Sequence, residues 1–384
     1  MRRSMKFVVA VTAVLTMGLG LAVVATAQTD RETMGAVYEA SAAIETNIAG
    51  VHTFPAPPTG FNPLNATDTE LASYGFPPRP SKVEDPLNYS QWVRAMGAAK
   101  VRWNGKLRDM GASNGPAKPA HAPEGAAPAA EGTSATPGTT YYYNWSGIAN
   151  TNKNTKWKAS TSFYYVISSF NVPAVQPPFG TCDGGYDWEV SWNGIDGFSN
   201  GDVLQGGSSS QVYCSGGSVS KYYCGWVEWY PSYPILCEFN VNPGDDFYVE
   251  SYSPSGGYNT GYVYIEDETT LQYGTYSLAW LNGPALVGNS AEYIVERPCC
   301  RSGNDYPLAN YIWDFWANSY AYDFTQYNKG TATTFYPGST TATTYLINMV
   351  DDLDDQVISV PAAQGKYGLF FYNTGCAYTG GCTP

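Results

Sequence analysis

Histidine is nearly absent from this chain. Among 384 residues only His52 and His121 are imidazoles, and neither lies beyond Tyr141. A Ser-His-Asp triad or a Cys-His dyad beyond that point is excluded, because each needs an imidazole to take the nucleophile's proton. Zinc hydrolysis of the H-E-x-x-H kind goes with them. Gly197-Phe-Ser-Asn-Gly201 matches G-x-S-x-G, yet without a histidine partner it reads as a turn. Charge is also scarce, at 14% of residues against roughly 25% in an ordinary soluble domain. The net charge of −13 argues against nucleic acid, whose phosphates need Lys and Arg. Beyond the N-terminus no apolar run is long enough to cross a bilayer. C-x-x-C pairs are missing as well, which makes zinc the weaker reading of the cysteines.

What the chain does contain is Tyr (32), Gly (40) and Trp (11), a mixture that favours strands and tight turns over long helices. The N-terminus reads as a secretory signal. Arg2, Arg3 and Lys6 precede an apolar run from Phe7 to Val24, and Ala25-Thr26-Ala27 suits signal peptidase. Residues 1–27 are therefore expected to be removed, leaving a secreted, extracellular chain with no membrane attachment. Residues 28–112 form a prosegment. Met34, Val37, Ala40, Ile44 and Ile48 fall at helical spacing, as do Trp92, Met96, Ala99, Trp103 and Leu107. From Arg79 to Lys118 there are eight Lys/Arg against three Asp/Glu. Residues 113–140, rich in Ala, Pro, Gly, Ser and Thr, read as a linker of the kind that proteases cut.

Residues 141–384 have a different texture. They hold 29 of the tyrosines and all eight cysteines, Cys182, Cys214, Cys224, Cys237, Cys299, Cys300, Cys376 and Cys382. In an exported chain an even count implies disulfides, with the pairing left open. Short alternating runs such as Tyr262–Ile265 and Thr344–Ile347 recur between turn-forming clusters. This predicts an all-β domain, an antiparallel sandwich or barrel.

With no histidine available, acid–base chemistry in this domain has to come from carboxylates, assisted by amides, tyrosines or lysines. The domain carries 22 Asp/Glu against eight Lys/Arg, so in acid it neutralises without accumulating much positive charge. Acidic surroundings suit it. As a strand, Tyr222–Tyr230 places Trp226, Glu228 and Tyr230 on one face, with Val227 and Trp229 on the other. Ala291–Glu296 likewise puts Glu292, Ile294 and Glu296 together. A glutamate among apolar neighbours has its pKa raised by desolvation, as a general acid or base requires.

Taken together, Trp192-x-Gly-Ile-Asp-Gly197, Leu204-Gln205-x-Gly207, Trp226-x-Glu-Trp-Tyr-Pro231 and Ala291-Glu-Tyr-Ile-Val-Glu296 resemble the motifs of the glutamic peptidases, or eqolisins. Asn144-Trp-Ser-Gly147 resembles the start of the mature domain in that family. The resemblance implies a concanavalin-like antiparallel β-sandwich of two packed sheets and a catalytic pair formed by Gln205 and Glu296. Trp192, Asp196, Trp226, Glu228 and Tyr230 would surround the pair, with Asn144 and Trp145 nearby. Glu296 would activate water and then protonate the leaving amine, while Gln205 stabilises the oxyanion. No metal or cofactor is expected, and the implied activity is an acid-acting endopeptidase on protein or peptide substrates, as a monomer. The chain departs from the family at Ser208-Ser-Ser210 and at Arg297-Pro298. Arg297 would favour ionised Glu296, modestly, because adjacent strand residues point oppositely.

Two other classes compete. A glycoside hydrolase would need a carboxylate pair, for which Glu266-Asp-Glu268 is the candidate, although the run reads as a solvated hairpin. A carbohydrate-binding lectin would use Asp351-Asp-Leu-Asp-Asp355 for calcium, although it lacks the Gly and distal Glu of an EF-hand loop and reads as a charged turn. The prosegment is expected to inhibit the β-domain, held by opposite charge and loosened in acid. Its rival role is a folding aid or wall-attachment domain that stays on.

Overall fold

The computed structural model describes residues 43–83, 85–122, 138–158, 161–177, 184–253, 259–281, 286–300, 305–323, 334–339, 343–352 and 356–374. Residues 1–27, expected to be a signal peptide, together with Met34, Val37 and Ala40, and Cys182, Cys376 and Cys382, lie outside the described residues.

Alternation of apolar and polar residues becomes strand after strand beyond residue 144. In chain order these are β1 (Trp145–Thr151), β2 (Phe163–Asn171), β3 (Gly185–Ile195), β4 (Val203–Ser215), β5 (Ser218–Tyr230), β6 (Leu236–Asn240) and β7 (Asp246–Tyr252). They continue as β8 (Thr260–Asp267), β9 (Gln272–Ala279), β10 (Ser290–Glu296), β11 (Trp313–Asp323), β12 (Thr344–Val350), β13 (Val357–Gln364) and β14 (Gly368–Asn373). One layer runs β6-β5-β4-β3-β10-β1-β12, every neighbour antiparallel. The second runs β9-β8-β7-β2-β11-β14-β13, also antiparallel. The two layers join at a corner where β12 pairs with β13. The fold is thus an all-β sandwich of two antiparallel sheets.

Every second residue along each strand enters the space between the layers. Leu204, Val212, Val227 and Trp229 from the first sheet meet Val166, Phe170, Phe247, Val249, Val263 and Ile265 from the second. Polar groups are buried there too. Ser191 donates to Glu189 at 2.5 Å and to Asp314 at 2.8 Å, and Trp316 donates to the same Asp314 oxygen at 2.6 Å. A disulfide ties Cys224 of β5 to Cys237 of the edge strand β6.

Residues 43–122 wrap this sandwich. Helix α1 (Asp68–Ser73) starts on a capping box, Thr67 with Glu70, and α2 (Pro86–Ala98) starts at Asp85 with Pro86 in its first turn. Leu71, Trp92, Ala95 and Met96 of the two helices, with Phe54 and Phe76, bury the outer face of the second sheet. That face is a tyrosine platform which includes Tyr165, Tyr248, Tyr264, Tyr273 and Tyr320. Tyr320 donates to Asn88 at 3.1 Å and Tyr322 to Asp85, while Arg94 pairs with Glu268. Both sheet edges are lengthened: Val51–Thr53 and Val101–Arg102 add to β9, and Arg108–Asp109 adds to β6. Such pairing removes exposed strand edges.

Three sequence expectations are corrected here. Ile44–Glu45 is a short strand, and Ile48 lies in a turn rather than a helix. The helical period through Trp92, Met96 and Ala99 does not continue to Trp103 and Leu107, because edge pairing takes over: the backbone N–H groups of Lys100, Val101 and Trp103 bond to β9 and its turn. The Glu266–Glu268 run is not solvated. Glu266 and Asp267 are fully buried, and α2 lies over Glu268 through Arg94.

Candidate active site

On the outer face of the first sheet the same alternation gathers Trp192, Gln205, Trp226, Glu228, Ile294 and Glu296. Gln205 of β4 stands opposite Glu228 of β5 and Gly194 of β3. Glu296 of β10 stands opposite Trp145 of β1 and Val190 of β3. Strand β3 therefore lies between the amide and the carboxyl and supplies Trp192 from its middle.

Each group is held. Glu296 accepts the Trp192 indole N–H at 3.0 Å on one oxygen and the Asn144 amide at 3.0 Å on the other. Trp145 packs edge-on against Trp192, ring centroids 5.0 Å apart. The Gln205 amide donates to Glu228 at 3.3 Å. Burial pushes the Glu296 carboxyl well above the usual carboxylate range, opposed by the Asn144 hydrogen bond and reinforced by the negative charges of Glu228 and Asp305. Burial does the same to Glu228, opposed by hydrogen bonds from Asn114 and Ser113. Arg297 does not join the site. It is buried, donates to the Tyr143 carbonyl at 2.7 Å and pairs with Asp352 at 3.1 Å.

Gly207 allows the sheet to close here. A Cβ at that position would lie 1.9 Å from the Ser191 carbonyl oxygen, so only glycine lets β4 approach β3. Asp196 sits apart from the pair, just past the end of β3 at a φ of 70°. Its carboxylate accepts the backbone N–H groups of Val287, Gly288 and Asn289 at 2.6, 2.9 and 2.8 Å. It organises the loop that leads into β10. Tyr230 is half-buried at the rim, and the Trp226 indole N–H has no hydrogen-bond partner among the described residues.

The cleft is occupied by the chain's own residues 112–118, which sequence reasoning had no means to place. Ile235 donates to the Ala112 carbonyl at 2.9 Å, and Ala112–Ser113 pairs with Cys299–Cys300. The Asn114 N–H donates to Glu228 at 3.0 Å, and its carbonyl accepts the Gln205 amide at 2.8 Å. Trp145 donates to the Gly115 carbonyl and Asn144 to the Pro116 carbonyl, each at 3.2 Å. Lys118 returns a backbone N–H to Asn144 at 2.8 Å and pairs with Asp305. A cavity of about 400 Å³ continues along the same face between Arg108, Tyr186, Gln211 and Tyr222. Such a face can hold an extended peptide by its backbone, with a neutral amide on one side and a carboxyl on the other.

The model of the peptidase A4 family matches residues 143–350, which include the whole cleft floor. A scytalido-glutamic peptidase with a peptide-based transition state analog shares 18% identity at a TM-score of 0.45, covering 60% of this chain and 98% of that one. Aspergilloglutamic peptidase from Aspergillus niger shares 21% identity at a TM-score of 0.39, covering 49% and 99%. No match was found among curated proteins. No helix among the described residues is long and apolar enough to cross a membrane.

Proposed function

Because the chain belongs to the peptidase A4 family and is a glutamic endopeptidase, we propose that Gln205 and Glu296 are its catalytic pair, acting in acid on proteins outside the cell. The observation that carries this reading is the Asn114 carbonyl, a peptide carbonyl resting on the Gln205 amide at 2.8 Å. The ionised form of Glu296 takes a proton from water as it attacks the substrate carbonyl, and the Gln205 amide donates to the developing oxyanion. Glu296 then returns the proton to the leaving amine. Trp192 and Asn144 fix the carboxyl, so its orientation costs nothing at the moment of reaction. Glu228 aims the Gln205 amide and receives the substrate N–H.

The prosegment acts as the inhibitor, and residues 1–27 as the signal that exports it with the enzyme. Residues 112–118 fill the cleft, which supports this role. Two ion pairs among the described residues join residues 43–122 to the sandwich, Arg94–Glu268 from the prosegment and Lys118–Asp305 from the start of the linker. The rest of the contact is strand pairing, apolar burial and hydrogen bonds such as those of Tyr320 to Asn88 and Gln205 to the Asn114 carbonyl, most of which acid leaves intact. Protonation alone therefore gives little release. The test is hydrolysis of a denatured protein from pH 2 to 7 by the processed chain, with pepstatin and a metal chelator present. Peptide release in acid that both leave untouched, and that E296Q abolishes, is expected. Reducing sugar released instead of peptides would sink the reading.

A further inference from the structure

Residues 112–118 lie in the cleft in the manner of a substrate, and this assigns them a fate. We propose that the Asn114–Gly115 bond is the enzyme's own first cleavage site, cut within the same molecule. The inference rests on the Gln205–Glu296 reading above. The polarity of the segment favours it. On the carbonyl side of that bond Gln205 holds the Asn114 oxygen, and Glu228 holds the Asn114 N–H. On the amine side Trp145 holds the Gly115 carbonyl. Asn144 donates both to the Pro116 carbonyl and to Glu296, so the acid–base carboxyl lies one side chain from the leaving segment. The substrate is thus fixed by five hydrogen bonds to its backbone across four residues, Asn114, Gly115, Pro116 and Lys118, which is the positioning that makes hydrolysis fast.

The step balances with water alone. Water attacks the Asn114 carbonyl carbon and gives a proton to Glu296 in its ionised form. The bond to the Gly115 nitrogen breaks, and Glu296 passes the proton to that nitrogen. Asn114 ends as a free carboxylic acid and Gly115 as a new amino terminus. The Gly115–Lys118 stretch stays attached to the sandwich after the cut, because the Ala120 N–H bonds the Tyr141 carbonyl and the Tyr143 N–H bonds the Lys118 carbonyl, each at 2.9 Å. The segment up to Asn114 loses its covalent link to the sandwich.

Full-length precursor purified at neutral pH would be brought to a series of pH values between 3 and 7, over a hundredfold range of concentration. Intact mass and N-terminal sequencing would follow the products. Two fragments are expected first, residues up to 114 and residues 115–384, together heavier than the precursor by one water. Their rate should not depend on concentration, and E296Q precursor should stay whole. G115A precursor should be cut at the same place, because a Cβ there lies 3.7 Å from the Tyr230 ring and so fits; the alanine also suppresses spontaneous breakdown at Asn-Gly. A first cut elsewhere with the Asn114–Gly115 bond intact, a rate proportional to concentration, or equal cutting of E296Q would each overturn the proposal. Hydrolysis of added denatured protein by the same preparations separates the two levels. Activity on that protein with a different first cut removes this inference alone, whereas no acid activity in any processed form removes the catalytic reading beneath it.

Discussion

Glu228 stands directly opposite Gln205 in the β4–β5 register, and one of its oxygens accepts both the Gln205 amide at 3.3 Å and the Asn114 N–H at 3.0 Å. A single carboxyl therefore aims the Gln205 amide and holds the peptide that lies in the cleft. Its glutamine isostere keeps an acceptor oxygen for both. Glu228→Gln is expected to lower kcat/KM by about tenfold, equivalent to one weakened hydrogen bond of about 1.4 kcal/mol. A loss as complete as that of a Glu296 variant would move Glu228 into the acid–base role.

Gln205→Ala and Glu296→Gln should leave a folded protein with little activity. Removing one oxyanion donor typically costs about 10²–10³ in rate, and removing the proposed general base costs at least as much. Circular dichroism together with steady-state hydrolysis in acid would check both. Turnover within about fivefold of wild type by either folded variant contradicts the assignment.

Gly207→Ala tests how closely the cleft floor is packed. The added methyl meets the Ser191 backbone carbonyl at 1.9 Å, and a carbonyl inside a sheet has no room to retreat. Strand β4 must shift against β3, which moves Gln205 two residues away. Overpacking of this kind costs roughly 1–3 kcal/mol, so a lower urea midpoint and a drop in kcat are expected together. An unchanged midpoint with full activity would show that β4 has slack.

Asp196 was grouped with the pair on motif resemblance, and its contacts separate it. Each buried N–H left without an acceptor costs about 1–3 kcal/mol, and Asp196→Ala orphans those of Val287, Gly288 and Asn289. A loss of about 3 kcal/mol or more in unfolding free energy is expected on that basis. Asp196→Asn should be milder, since asparagine tolerates positive φ and keeps one acceptor. An Asn variant with unchanged stability and no activity would place Asp196 in the chemistry instead.

The strand faces were legible because a sheet has a period of two. Val227 and Trp229 on one side, with Trp226 and Glu228 on the other, follow from alternation alone, as do Ile294 and Glu296. Two things left no such mark. Ala112–Lys118 sits in a run of small residues with no period, and its extended form is imposed by Glu228, Gln205 and Asn144. Glu266 and Glu268 alternate as a solvated strand would, yet α2 buries them, and a strand's own residues do not reveal what will cover its outer face. The helical spacing that ran on to Trp103 failed for the converse reason: the free edge of β9 offered hydrogen bonds that outweighed local preference.

Several carboxyls outside the proposed catalytic pair give the fold a pH dependence of definite sign. Burial raises Asp202 to about 9, helped by the charge of Asp196 and opposed by the Trp229 hydrogen bond. Burial likewise raises Glu238 to about 8 against the pull of Tyr276 and Arg102, and Asp314 to about 7 against Trp316 and Ser191. In the unfolded chain these groups titrate near about 4. The folded protein therefore binds more protons than the unfolded chain between the two values, and stability falls with rising pH across that window. The contribution is complete below about pH 4 and is lost as the pH climbs through 7 to 9. Net negative charge, growing over the same range, adds self-repulsion in the same direction. Urea unfolding of the E296Q precursor, which cannot process itself, should give its highest midpoint near pH 4 and a progressive decline to pH 9. Replacing Asp314 with Asn, which stays neutral and keeps an acceptor for Trp316 and Ser191, should flatten the part of that decline around pH 7. A midpoint that is constant or rises from pH 5 to 9 would mean that these carboxyls are ionised in the folded protein.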